Sequence, residues 1–183
     1  MTDEHDPVIL DACCVMTLYG SGRMGDVLAA LPRPVHVCDY VLEEEALTVY
    51  DGPPEHVRAE TTDIDLRPLE RKGLIERMIL QSEEQTTFVK LAKDLDDGEA
   101  RTIAIAVHRD WAVGTDDKKA LRMCRSEAIE TITTPALMRG WVEKTNPPRG
   151  EIAAALRRIR TRAVYLPGTN HSEYEWWAQY SEE

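Results

Sequence analysis

The chain is predicted to be an α/β protein with three layers, α/β/α, around a central and mostly parallel sheet. Three observations lead there. Short, largely apolar runs recur at Val8–Leu10, Val35–Cys38, Trp111–Gly114 and Ile129–Ile132. An apolar run of that length reads as a strand covered on both faces. Helical patterns separate the runs, and strands alternating with helices build a parallel, doubly wound sheet. Two runs end on a carboxylate, at Asp11 and Asp116. That end of an open α/β sheet is where ligands bind.

The elements follow in order. After the first strand, Ala12, Val15, Met16 and Tyr19 sit at helical spacing, and Gly20-Ser21-Gly22 closes the run. A short helix is expected over Asp26–Leu31, stopped by Pro32 and Pro34. The second strand, Val35–Cys38, leads to Asp39 as an N-cap and a helix from Tyr40 to Tyr50, halted by Asp51-Gly52-Pro53-Pro54. Residues 55–70 are polar and irregular, with a short strand expected at Asp63–Leu66. Helices are expected over Leu69–Gln81 and Glu83–Leu95, with a turn at Asp96-Asp97-Gly98. From Glu99, the residues Ala100, Ile103, Ala104 and Val107 make an apolar stripe. The strand ending in Gly114 precedes a helix over Asp117–Arg125, and Ile129–Ile132 makes the fourth strand. Pro135 suits the first turn of a helix reaching Val142. A last helix is expected at Glu151–Arg162, followed by an aromatic tail in which Trp176 and Trp177, with Trp141 before them, serve packing.

Composition narrows the class. The chain has 183 residues, of which 43% are hydrophobic, enough for one domain of about 100–200 residues with a core of its own. We expect a main domain over 1–148 and a helical extension, 149–183, packed on it. No apolar run approaches the roughly 20 residues of a membrane span, so no membrane partner is expected. The acidic start Met1–Asp6 shows no signal-peptide pattern. Cys13, Cys14, Cys38 and Cys124 lack zinc-site or disulfide-framework spacing and read as reduced, packing thiols of a cytoplasmic protein. The net charge of -11 argues against broad electrostatic attraction to nucleic acid, unless cations fill an acidic cluster or a local basic stripe exists.

Such a cluster is written into the parallel sheet. Asp11 and Asp116 end strands, Gly98-Glu99 opens a helix, and Glu43-Glu44-Glu45 lies on another. If these elements open on one edge, four carboxylates converge, and their repulsion is costly unless hard cations such as Mg²⁺ or Mn²⁺ lie among them. The competing reading makes Asp11 and Asp116 helix caps, Glu99 a first-turn acid and the triple Glu a solvated face. The histidines, His5, His36, His56, His108 and His171, are scattered without ligand spacing and take no catalytic role.

The stretches Ile9–Ala12, Val41–Leu47, Asp97–Ala106 and Val113–Asp117 resemble the PIN domain, a nuclease fold that includes the VapC-type toxins. The resemblance covers roughly residues 7–135 and is best from Asp97 to Asp117. It implies metal-dependent hydrolysis of RNA phosphodiesters, with Mg²⁺ or Mn²⁺ as cofactor. It carries Asp11, Glu99 and Asp116 onto metal-binding positions. Glu44 and Glu45 both fit the second acid. Helical spacing favours Glu45, which lies beside an inward face marked by Leu42, Ala46 and Val49. The catalytic set is then Asp11, Glu45, Glu99 and Asp116. Asp117 either supports a metal or caps the next helix.

An RNA substrate would approach over basic residues: Lys118, Lys119, Arg122 and Arg125, and the run Arg157-Arg158-Ile159-Arg160-Thr161-Arg162. Lys118, Arg157, Arg158 and Arg160 are the named candidates. The tail beyond Pro148 and the long 55–95 region exceed a minimal PIN toxin and could recognise substrate, form a homodimer or hold an antitoxin. The alternative within the fold is a catalytically silent PIN-like interaction module. A dehalogenase-type phosphatase wants a second Asp at position 13, where Cys13 stands, and no Gly-rich loop follows the first strand for a nucleotide.

Overall fold

The structure, a computed structural model, describes residues 6–52 and 60–180. His5, His56 and the Pro53-Pro54 stop lie outside the described residues. The strands are β1 (Val8–Leu10), β2 (Val35–Cys38), β3 (Thr48–Tyr50), β4 (Thr61–Asp63), β5 (Glu76–Met78), β6 (Ala112–Gly114) and β7 (Thr131–Ile132). The helices are α1 (Ala12–Gly20), α2 (Met24–Ala30), α3 (Asp39–Glu43), α4 (Arg67–Arg71), α5 (Gln85–Leu91), α6 (Asp97–Arg109), α7 (Lys118–Ser126), α8 (Thr134–Thr145), α9 (Arg149–Arg158) and α10 (Tyr174–Ala178). They fall into two units, one drawn from residues 1–15, 32–47 and 65–133, the other from 16–31, 48–64 and 134–183.

The first unit carries a five-stranded sheet in the order β5-β2-β1-β6-β7, parallel throughout. Its middle strands β1, β2 and β6 are buried along their whole length, which is why they are continuous apolar runs. Ile9 pairs with His36 on one side and Val113 on the other. Helix α6 packs on β1, β2 and β6 and buries Ala100, Ile103, Ala104, Ile105 and Ala106. From β1 the sheet grows toward β2 on one side and β6 on the other. The carboxyl ends of β1 and β6 therefore flank the topological switch point, where such sheets bind ligands.

In the second unit β3 and β4 pair antiparallel, with Val49 opposite Thr62. Helices α2 and α8 pack together. Trp141 and Trp177 are buried there, and Tyr165 meets Trp177 edge-on with ring centres 6.0 Å apart. The aromatic packing expected of this segment is what these two tryptophans do. Among the described residues, no helix is long and apolar enough to cross a membrane.

Several expected elements differ. The helix expected over Tyr40–Tyr50 ends at Glu43, because β-branched and aromatic Thr48-Val49-Tyr50 pair with β4 instead. Asp39 is the first residue of α3 rather than its cap, and its carboxylate accepts from the Tyr40 N–H. The strand expected at Asp63–Leu66 lies earlier, as β4. The helix expected over Leu69–Gln81 stops at Arg71. Gly73, at φ 67°, takes the left-handed position after it, Gly73 N–H bonds the Glu70 carbonyl, and Leu74 N–H bonds that of Leu69. The chain then forms edge strand β5, whose Glu76 and Arg77 hid it in the sequence. The Glu83–Leu95 helix reduces to α5 after a 3₁₀ turn at Ser82–Glu84. The last long helix becomes α9 and a π turn at Ile159–Ala163.

Candidate active site

Asp11 follows β1 directly. Its N–H bonds the Gly114 carbonyl at 2.9 Å, so the backbone still belongs to the sheet while the carboxylate stands at its edge. The residue is buried. Its Oδ1 accepts from Ala12 N–H at 2.8 Å, and its Oδ2 accepts from the Thr115 hydroxyl at 3.1 Å and the Cys13 thiol at 3.3 Å. Burial pushes its pKa up, against the pull of those hydrogen bonds.

Cys13 does more than pack, contrary to expectation. Its sulfur donates to Asp11, lies 3.4 Å from the Thr115 hydroxyl and accepts from Asp116 N–H at 3.4 Å. The thiol links the ends of β1 and β6. Burial, followed by the neighbouring Asp11 charge, pushes its pKa up and keeps it a donor. Cys14, Cys38 and Cys124 are buried, and no disulfide joins any of the four.

Glu45 reaches the same edge by an unexpected route. It follows the end of α3 and does not ride on a helix, and Ala46, expected to face inward, is exposed. The Glu45 carboxylate rests on Gly98, where an added Cβ would meet its Oε1. Glu44 is exposed. Burial first, then the charges of Asp96, Asp11 and Glu99, push the Glu45 pKa up to about 7. Glu99, in the first turn of α6, is pushed up to about 7 by burial and by Asp96, Asp11 and Asp117. Two carboxyls poised near neutrality mark this edge as electrostatically loaded.

Asp96 is the member that the sequence reading missed. It caps α6, accepting from Glu99 N–H at 2.8 Å, and its charge is the leading electrostatic influence on both Glu45 and Glu99. The Asp-x-x-Glu spacing of Asp96 and Glu99, a capping-box pattern, was the available signal. Asp117 is the true cap of α7, accepting from Lys119 and Ala120 N–H at 2.7 and 2.8 Å. Asp116, one residue earlier, is not that cap.

The structure therefore gathers Asp11, Glu45, Glu99 and Asp96 into one field, with Asp117 acting on Glu99 and Asp116 tied to Cys13. Lys118 is exposed at the start of α7. Arg157, Arg158 and Arg160 are exposed and belong to the second unit. There Arg158 lies over Gly22, and the Arg162 Nε donates to the Tyr50 carbonyl at 3.2 Å.

The donor set consists of carboxylate oxygens, the chemistry of hard cations. Among the described residues, no group of three or more His, Cys, Asp or Glu side chains is arranged to hold a metal ion. Mg²⁺ does not require one, since it keeps several waters and takes one or two carboxylates. The recess above Gly98, which a Cβ would fill, is taken by the Glu45 carboxylate. The carboxylates present are the kind of donor such an ion takes.

A parallel, doubly wound sheet with acids crowded at its switch point defines a nuclease-like α/β fold. A family model of the PIN domain matches residues 7–174, and the chain belongs to the PIN domain family. The match runs well past residue 135, where the resemblance read from the sequence stopped. No curated protein matches the chain. PIN domains are generally nucleases.

Proposed function

We propose that this protein is a divalent-metal-dependent endoribonuclease that hydrolyses RNA phosphodiester bonds, acting as the toxin of a VapBC-like toxin–antitoxin pair. One observation carries the reading: Asp11, Glu45, Asp96 and Glu99 crowd together so that burial first, and then their charges, raise Glu45 and Glu99 to about 7, at the edge where the fold binds ligands. Asp11, Glu99 and Asp116 are the proposed holders of Mg²⁺ or Mn²⁺, with Glu45 completing the catalytic set. Bound there, the ion supplies positive charge to the phosphate and lowers the pKa of a water.

The chain's own residues prepare the site. Thr115 and Cys13 fix Oδ2 of Asp11, leaving the carboxylate little rotation. Asp96 orders the first turn of α6 and so sets the position of Glu99. Gly98 admits the Glu45 carboxylate to the edge. Lys118, next to Asp116 and Asp117, is the nearest proposed phosphate contact in the chain, with Arg157, Arg158 and Arg160 as further RNA contacts. An antitoxin that places basic groups in this acidic edge is the proposed partner.

The test is cleavage of single-stranded RNA with Mg²⁺, with Mn²⁺ and with chelator, beside Asp11→Asn and Asp116→Asn. Cleavage that requires metal and disappears in both variants supports the reading. Cleavage that persists in both, or in chelator, refutes it.

A further inference from the structure

Arg101 lies in the same unit, one helical turn along α6 from the Gly98 that carries Glu45. Residues three apart share a helix face. The Arg101 guanidinium lies over two aromatic rings, 4.8 Å from the centre of Tyr40 and 4.7 Å from that of Phe88. Its Nε is buried without a hydrogen-bond partner. Among the described residues, the guanidinium has no ion-pair or hydrogen-bond acceptor.

That isolation is not for want of acids. The chain has 33 acidic residues against 22 basic, and three other arginines of this unit use them. Arg33 meets Glu130, Arg77 meets Glu43 and Glu70, and Arg109 meets Glu84. A carboxylate, Glu45, lies one turn away on the same face, yet no ion pair joins it to Arg101. A part-covered cation without a counter-charge is unfavourable, and two aromatic faces offset this only in part. The two ring contacts restrain the guanidinium, and a restrained fork suits bidentate capture of phosphate.

We propose that Arg101 is a substrate-binding residue that takes a backbone phosphate of single-stranded RNA, next to the one held at the acidic edge. This rests on the nuclease reading and extends it. The Arg101 guanidinium, over Tyr40 and Phe88, supplies the anion contact that the acidic cluster cannot.

The test measures binding rather than turnover. A fluorescent single-stranded RNA is titrated into the Asp116→Asn protein over a range of salt, with and without Arg101→Gln. Arg101→Gln is expected to reduce the slope of log affinity against log salt by about 0.7, the value of one phosphate on a single strand. Affinity should fall roughly tenfold. Arg71→Gln, the same charge change on exposed α4, should leave both unchanged. An unchanged slope in folded Arg101→Gln overturns the proposal, as does an equal loss in Arg71→Gln. Should Arg101→Gln not fold, Arg101→Lys keeps the charge without the fork. It should hold the slope and weaken binding several-fold, and undiminished affinity overturns the proposal. Loss of metal-dependent cleavage in the unmodified protein would instead strike the nuclease reading, so the two failures are distinguishable.

Discussion

Replacing Asp96 with Asn separates the electrostatics of the acidic edge from its architecture. Asn caps a helix about as well as Asp, so the bond from Glu99 N–H is retained while the charge is lost. Asp96 is the first electrostatic cause, after burial, of the raised pKa of Glu45 and Glu99. Raising a carboxyl from 4.5 to about 7, at about 1.4 kcal/mol per pH unit, corresponds to roughly 3 kcal/mol. Both side chains are partly in solvent, so screening reduces this to about 1–2 kcal/mol each. The folded pKa exceeds the unfolded one, so this contribution is fully present below pH 4.5 and is lost as pH rises through about 7. Metal-free protein should therefore lose stability across that window. Asp96→Asn should recover about 1 kcal/mol above it, a rise in Tm of about 2–4 °C for a chain of this size, with no gain at low pH. Thermal unfolding in chelator across the pH range measures this. A Tm change that is the same below pH 4.5 and above 7 would mean that the cap, not the charge, was altered, and would refute the reasoning.

Other predictions address single contacts. Gly98→Ala removes a helix glycine, worth up to about 1 kcal/mol, but puts a Cβ where the Glu45 carboxylate rests. It should fold at least as well as the native chain while losing most RNA cleavage, and undiminished cleavage would show that Glu45 is not needed there. Cys13→Ala removes the tie between Asp11 and Asp116 N–H, whereas Cys13→Ser keeps a donor. Cleavage should fall about tenfold or more in the first and be largely restored in the second, and equal rates in both would sink the idea. Glu84 is buried, and its carboxylate accepts from the Arg109 Nε at 2.7 Å, Arg109 Nη2 at 3.2 Å and Gln81 N–H at 2.7 Å. Burial pushes its pKa up, but the Arg109 and Gln81 bonds outweigh burial and hold it below the ordinary value. Glu84→Ala removes the counter-charge of the partly exposed Arg109 and should cost about 2–3 kcal/mol by denaturant unfolding; a loss within experimental error would contradict the pairing.

The centre of the sheet was readable because strands buried on both faces must be apolar throughout. Val8–Leu10 and Ala112–Gly114 could hardly be anything else. Strand β5 was not readable, because an edge strand needs no apolar pattern and Glu76-Arg77 look helical. The Gly73 stop before it was a signal that the periodicity of the surrounding residues masked. Glu45 was chosen over Glu44 on a helical face that does not exist, since α3 ends at Glu43. It is the loop after α3, seated on Gly98, that brings Glu45 inward. Asp96 was hidden inside a turn signature, and the bonds of Cys13 depend on β1 and β6 being neighbours, which spacing alone does not reveal.

On the proposed reading these acids gather to hold a cation, not merely to cap helices. Calorimetric titration of Mn²⁺ into the chelator-stripped protein, above the pH where Glu45 and Glu99 lose their protons, tests it most directly, beside Asp11→Asn and Glu99→Gln. Saturable binding to the native chain is expected, with a loss of at least tenfold in affinity in each folded variant. No binding to the native chain, or equal binding in all three proteins, would contradict it.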